Sequence, residues 1–344
     1  MKREKKTPSS STAYRKEINM KKKNLNPLIT ILLCAFCAVI LTILVLRFVV
    51  GYRYIHNKDL GIIFIGMTED GLARDGKLYY SDGTKGTLDS ETSTIMYNNG
   101  EQYTGDLLGF IPHGIGVLKK ANGTVYDGTF NMGECTGQAH IAYKSGDSYD
   151  GELLNGNRNG FGTYTSESGS VYTGEFVNNI KNGNGYASFA NGSVFIGQYK
   201  NSIKDGWGAF LFKNGDIYVG EYKDDKRTGK GIYIWAKSEE YSTEFDEMFN
   251  SVEFTPEYAE KFFEYFETGF LQHFTTADNT GSDPELPFWQ SFEKILFRSQ
   301  VECYIGEFKD NLLEGQGKYI WLSGRILESE FVGGLAKQEP ETEE

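Results

Sequence analysis

The stretch "YTGEFVNNIKNGNGYASFANGS", Tyr172 to Ser193, decides the fold. Its opening residues alternate aromatic and polar side chains, as a half-buried strand does. "GYASFANG" then reads as a strand returning to a glycine turn. Between them lies "NNIKNGNG", a connection rich in Asn and Gly. A lone hairpin of this kind cannot bury its aromatic face in water. Copies of it elsewhere in the chain could supply the missing cover.

The copies are there. Tyr103, Tyr126, Tyr149, Tyr172, Phe195 and Tyr218 follow one another at intervals of 23 residues. Glycine stands two positions after each: Gly105, Gly128, Gly151, Gly174, Gly197 and Gly220. A second glycine set marks the middle of each unit at Gly114, Gly137, Gly160, Gly183, Gly206 and Gly229. A third set follows two positions later, with Ala139 as the exception. One more unit appears late, "YIGEFKDNLLEGQGKYIWLSG", opening on Tyr304 and Gly306. Chance does not hold such a register over six units, and a fixed period of this length means stacked repeats.

Units join through short turns such as "ANGT" at 121–124 and "KNGD" at 213–216. Asn-Gly and Asp-Gly favour turns with positive φ, which glycine adopts without steric cost. With 41 glycines, 7 prolines and 15% aromatics, the chain has the composition of aromatic strands joined by tight turns. Stacking would lay each unit's ring against the next, adding about 0.5–1.5 kcal/mol per ring pair beyond area burial. Glycine in a strand marks a bulge, a bend or the close approach of another group.

These residues resemble the MORN repeat, whose pattern is Tyr-x-Gly-x-aromatic, then Gly-x-Gly and a closing glycine turn. The resemblance covers 103–240 and again 304–324. Upstream, "GKLYYSDGT" and "STIMYNNGE" each match a returning strand only, which predicts one or two degenerate units within about 63–102. The resemblance implies an extended array of β-hairpins used for attachment: protein scaffolding, oligomerisation and, in some members, phospholipid contact. It implies no reaction and no cofactor.

The pattern breaks at "YSTEF", Tyr241 to Phe245, where Thr243 holds the glycine position. From 246 to 302 the period changes. Tyr258, Phe262, Phe266 and Phe270 recur at four-residue steps, and Phe288 and Phe292 do the same. That spacing predicts two amphipathic helices. Pro256 and Pro287 suit first helical turns, and Thr255 suits a cap. The aromatic faces would either pack on the sheet as a cap or form a partner-binding surface. "LESEF", Leu327 to Phe331, repeats the loss of glycine at Ser329. Both half-units read as array edges without a returning strand.

Leu28 to Leu46 is nineteen residues without a charge, close to the length that crosses a bilayer. Nine basic residues and two acids precede it, which predicts a cytoplasmic N-terminus and an extracytoplasmic repeat region. A cleaved signal peptide is the rival reading, but "RFVVGYRY" makes a poor cleavage site. The first fifty residues carry +8, so the rest of the −12 chain carries −20. A domain that acidic argues against nucleic acid and against flat docking on an anionic membrane.

The expected organisation is a basic cytoplasmic tail at 1–26, a transmembrane helix at 27–50, and a linker with degenerate hairpins at 51–102. Repeats follow at 103–245, a helical insertion at 246–302, a C-terminal repeat and half-repeat at 303–333, and an acidic tail at 334–344. The fold class is mainly β: an elongated single-layer hairpin array with an inserted helical hairpin, preceded by one transmembrane helix.

Motifs for chemistry are missing. There is no phosphate-binding Gly-x4-Gly-Lys loop and no His-Glu-x-x-His, and the Gly-x-Gly pairs sit inside strands. His56, His113, His140 and His273 are too scattered for a metal spacing, and Cys135 and Cys303 read as core residues. Glu152, Glu175, Glu221 and Glu307 share one repeat position and read as solvated strand residues. "DNTGSDPE" at 278–285 lacks the full spacing of a calcium loop, and Asn122 and Asn191 fit glycosylation sequons. The function expected is a non-catalytic, membrane-anchored scaffold with a protein partner and room for self-association. Binding of wall glycan or of phospholipid headgroups is the alternative.

Overall fold

The computed structural model describes residues 27–236, 247–268, 286–296 and 301–337. "YSTEF", Phe270, the 278–285 loop, the basic segment 1–26 and the acidic end 338–344 lie outside the described residues. The chain divides into two compact units, one ending at Glu91 and one beginning at Thr92.

In the first unit, helix α1 (Pro27–Phe48) carries no charge before Arg47 in its last turn, and none of its residues is buried. Its length and composition fit a membrane anchor or a signal sequence. Four strands follow: β1 (Tyr52–Asn57), β2 (Ile62–Glu69), β3 (Leu72–Tyr79) and β4 (Lys85–Asp89). They pair in sequence order, each antiparallel to the last. Here the sequence reading missed half a repeat. "GKLYY" is not a returning strand alone, because β2 supplies its partner. Phe64 is buried, and a Cβ on Gly66 or Gly76 would lie 2.6 or 2.4 Å from its ring. This is the ring-and-two-glycines arrangement, but Phe64 stands 39 residues before Tyr103, outside the 23-residue register.

The second unit is an open antiparallel meander. It begins with β5 (Thr94–Tyr97), β6 (Gln102–Leu108), β7 (Ile111–Lys119), β8 (Val125–Asn131), β9 (Glu134–Ala142), β10 (Ser148–Leu154) and β11 (Asn157–Thr165). It continues through β12 (Val171–Val177), β13 (Ile180–Ser188), β14 (Val194–Lys200), β15 (Ile203–Leu211), β16 (Ile217–Lys223) and β17 (Lys226–Trp235). After the insertion come β18 (Glu302–Lys309), β19 (Leu312–Ile320), β20 (Ile326–Val332) and β21 (Leu335–Ala336).

Two expectations about edges are corrected. The array does not end where the insertion begins: β17 pairs directly with β18, with Gly231 opposite Gly306. Nor does "LESEF" lack a return. β20 pairs with the two-residue β21 through Phe331 and Ala336.

The repeat geometry explains its residues. Tyr172 is buried, and its ring lies over Gly174 and Gly185, which face each other across β12 and β13. A Cβ on Gly185 would come within 2.5 Å of that ring. The Tyr172 hydroxyl donates to the Glu175 carbonyl at 3.1 Å, and Tyr103, Tyr149, Tyr218 and Tyr304 repeat this bond. The returning strand bulges opposite Glu175, between Lys181 and Gly185. The Glu175 carboxylate holds the bulge by accepting the Asn184 N–H at 2.8 Å. Asp106, Gln198 and Glu221 do the same in their units. The acidic row is therefore more than solvated strand surface. Tyr126 departs from the pattern. A Cβ on Gly128 would meet the Ala139 methyl at 2.5 Å, so the ring's seat is filled and Tyr126 stays half-buried.

Candidate functional site

Successive side chains on a strand point to opposite faces, so the sheet of the second unit has two faces with different covers. The first face carries the ladder of rings. Along the ladder, leading rings meet edge-to-face the second ring of the next unit: Tyr149 with Phe176, Tyr172 with Tyr199, Phe195 with Tyr222, and Tyr218 with Phe308. Centroid separations of 5.0–5.4 Å suit this geometry. Of the repeat-defining rings, all but the half-buried Tyr126 are thus interior.

The second face is apolar in one region, where Val194, Ile196, Ala209, Val219, Ile232 and Cys303 are buried. The insertion covers that region. Its helices α2 (Pro256–Thr268) and α3 (Pro287–Leu296) contribute Phe262, Phe288, Trp289 and Phe292 to the same core. Thr255 caps α2, accepting the Tyr258 N–H at 3.1 Å. Of the expected partner surface, Phe262, Phe288 and Phe292 are buried and Tyr258 packs against this core. These rings face the sheet rather than an open surface. The side chain of Phe266 lies outside the described residues. Cys135 and Cys303 are buried free thiols, and burial pushes the Cys135 thiol up to about 11.

On the ring-bearing face, a second aromatic row lies half-buried beside the ladder. Phe210, Phe212, Tyr233, Trp235 and Tyr319 run on from one another with centroids 4.5–5.9 Å apart. Among them stands a row of cations that reading for rings and glycines overlooked. Arg158, Lys181, Lys204 and Arg227 are spaced by 23, like the rings themselves. Each is the cross-strand partner of a buried residue of the ladder: Leu153, Phe176, Tyr199 and Tyr222 respectively. Arg158 lies 5.0 Å over Tyr164, Lys181 4.4 Å over Tyr172, and Arg227 4.9 Å over Tyr233. Lys204 pairs with Asp225 at 2.9 Å. Every buried residue in the core of this face comes from a strand. This row is the candidate binding surface.

The MORN repeat family model matches residues 111–125, 126–148, 149–171, 172–194, 195–217, 218–239 and 304–324. The chain carries seven MORN repeats. The last MORN match is separated from the others by the insertion that the sheet passes over. No curated protein matches the chain. Among solved structures it is similar to the TCP10 domain of Danio rerio CPAP in complex with a peptide of Danio rerio STIL. That pair aligns at 14% identity and a TM-score of 0.33, covering 54% of this chain and 88% of the other. The SAS-4 (dCPAP) TCP domain of Drosophila melanogaster, in complex with a proline-rich motif of Ana2 (dSTIL), aligns at 14% identity. Its TM-score is 0.24, with 55% and 88% covered. MORN repeats are non-enzymatic binding repeats, and a module of them fits protein or lipid interaction.

Proposed function

We propose that this protein is a single-pass membrane scaffold that recognises a protein partner through the ring-and-cation face of its MORN array. Its N-terminus is cytoplasmic and its repeats stand on the opposite side of the membrane. Recognition, rather than catalysis, is its role.

One observation carries the reading: the two faces of the array are finished differently. The helical insertion seals the apolar region of one face. The other keeps half-exposed rings interleaved with cations, although the chain beyond residue 50 sums to −20. Half-exposed aromatics beside arginine are the residue types that supply most interface energy. The anchor reading rests on α1, whose apolar side chains are all exposed and have a bilayer as their fitting surroundings. The side of the membrane rests on the basic residues before α1.

Protease added to intact cells tests the topology. The repeats are expected to be cut without membrane disruption. Repeats that are degraded only after the membrane is opened would reverse the orientation.

A further inference from the structure

The cation row has a repeat distance, and that distance describes what fits it. Arg158, Lys181, Lys204 and Arg227 sit on β11, β13, β15 and β17, so successive cations are two strands apart. At about 4.8 Å per strand, that is roughly 9.6 Å. A polyproline II chain rises about 3.1 Å per residue with three residues per turn, so every third side chain recurs on one side after about 9.3 Å. The row and such a chain have nearly the same period.

We propose that Arg158, Lys181, Lys204 and Arg227 form a docking track for an acidic, proline-containing segment of a partner protein, lying across the strands in polyproline II form with a carboxylate at every third residue. The proposal deepens the recognition role above and rests on it.

Three features of the track fit this occupant. The first is an uncompensated charge. Lys204 has Asp225, but no carboxylate is paired with Lys181 among the described residues. Burial and the neighbouring charges of Arg158 and Lys204 lower the Lys181 pKa. An incoming carboxylate would relieve both effects. The second is a fixed fork. The Arg158 guanidinium donates to the Asn179 carbonyl at 3.0 Å, and that of Arg227 to the Asn311 carbonyl at 2.9 Å. These bonds hold each guanidinium in place beside its ring. The third is the ring surface. Guanidinium groups already cover Tyr164 and Tyr233, so a sugar ring finds those faces taken. Ring edges between the cations remain, and proline rings pack into such aromatic-lined grooves.

The test uses the full-length protein in detergent and a labelled twelve-residue probe of four Glu-Pro-Pro triplets. Anisotropy should show saturable binding that weakens as salt rises. Replacing Glu by Gln in the probe should abolish it, and Glu-Pro-Pro-Pro spacing should weaken it roughly tenfold. Lys181→Gln should weaken it by a similar factor, while Lys181→Arg keeps it, which separates charge from folding. Equal binding of the Gln probe, or an unchanged affinity for Lys181→Gln, would overturn the proposal. So would binding of phosphatidylserine vesicles or hyaluronan oligosaccharides with none of the peptide. If crosslinking from this face instead captures a partner without an acidic, proline-bearing segment, the ligand class falls and the recognition role stands.

Discussion

Tyr233 faces Tyr304 directly across β17 and β18, although 71 positions separate them in the chain. At an unbroken junction the partner lies eight positions on, as Phe210 faces Tyr218 and Tyr164 faces Tyr172. Eight positions after Tyr233 is Tyr241, the first residue of "YSTEF". Tyr304 occupies the seat that Tyr241 would hold in an unbroken register. The insertion is therefore looped out of a continuous sheet, and its helices return to cover that sheet.

Excising residues 238–300, which leaves Tyr233 eight positions before Tyr304, is expected to keep the β-sheet signal in circular dichroism and remove the helical one. It should also bare Ile196, Val219 and Ile232, so that the protein self-associates and binds a hydrophobic dye. A monodisperse, dye-silent product would show that the helices do not cover this face. Loss of the β-sheet signal would count against a sheet that runs on without the insertion.

Gly185→Val should destabilise the array, because a Cβ there comes within 2.5 Å of the buried Tyr172 ring. Overpacking of this kind costs about 1–3 kcal/mol. Urea unfolding would measure it. Gly192 makes the comparison, since a Cβ there meets nothing within 4 Å and carries only the strain of φ +87°. A smaller loss for Gly185→Val than for Gly192→Val would remove the steric account of the glycine pairs.

Tyr172→Phe deletes the hydroxyl that donates to Glu175 and leaves the ring in place. The expected loss is about 0.5–1.5 kcal/mol. Phe195 occupies the same position in its own unit, so the fold itself should survive. Complete unfolding of Tyr172→Phe would mean that the hydroxyl does more than close one bond.

High pH should weaken the array. Burial raises Tyr103, Tyr149 and Tyr304 to about 12, and raises Tyr172 and Tyr218 further. An unfolded tyrosine titrates near 10. Between these values the unfolded chain gives up protons that the folded chain keeps, so stability is complete below about pH 10 and falls towards pH 12. Circular dichroism and tyrosinate absorbance should change together in that window. Full tyrosinate formation near pH 10 with the sheet intact would show that these phenols reach solvent.

Much of the array was legible because each buried ring needs its own glycine pair, and that requirement stamps a period on the sequence. Phe64 satisfies the same requirement but escaped detection, since its spacing to Tyr103 is not a multiple of 23. The site of helix docking also left a trace. In "VFIGQY", "WGAFL" and "IYVGEY" both alternating faces are apolar, whereas in "YTGEF" only one is. Strands apolar on both faces are covered on both, which would have placed the insertion over β14 to β17. The cation row was equally periodic. It was overlooked because Arg158 and Lys181 sit in connections that read as Asn- and Gly-rich turns, while the structure makes them strand residues opposite Leu153 and Phe176.

If the ring-and-cation face, and not its opposite, meets the partner, the two faces will crosslink differently. A photoreactive phenylalanine at Phe189, half-buried on that face, compared with one at Val117 on the other face, tests it most directly in native membranes. A discrete adduct from position 189 that disappears with Lys181→Gln, and none from position 117, is the predicted result. An adduct from 117 alone, or one from 189 that ignores Lys181→Gln, would contradict it.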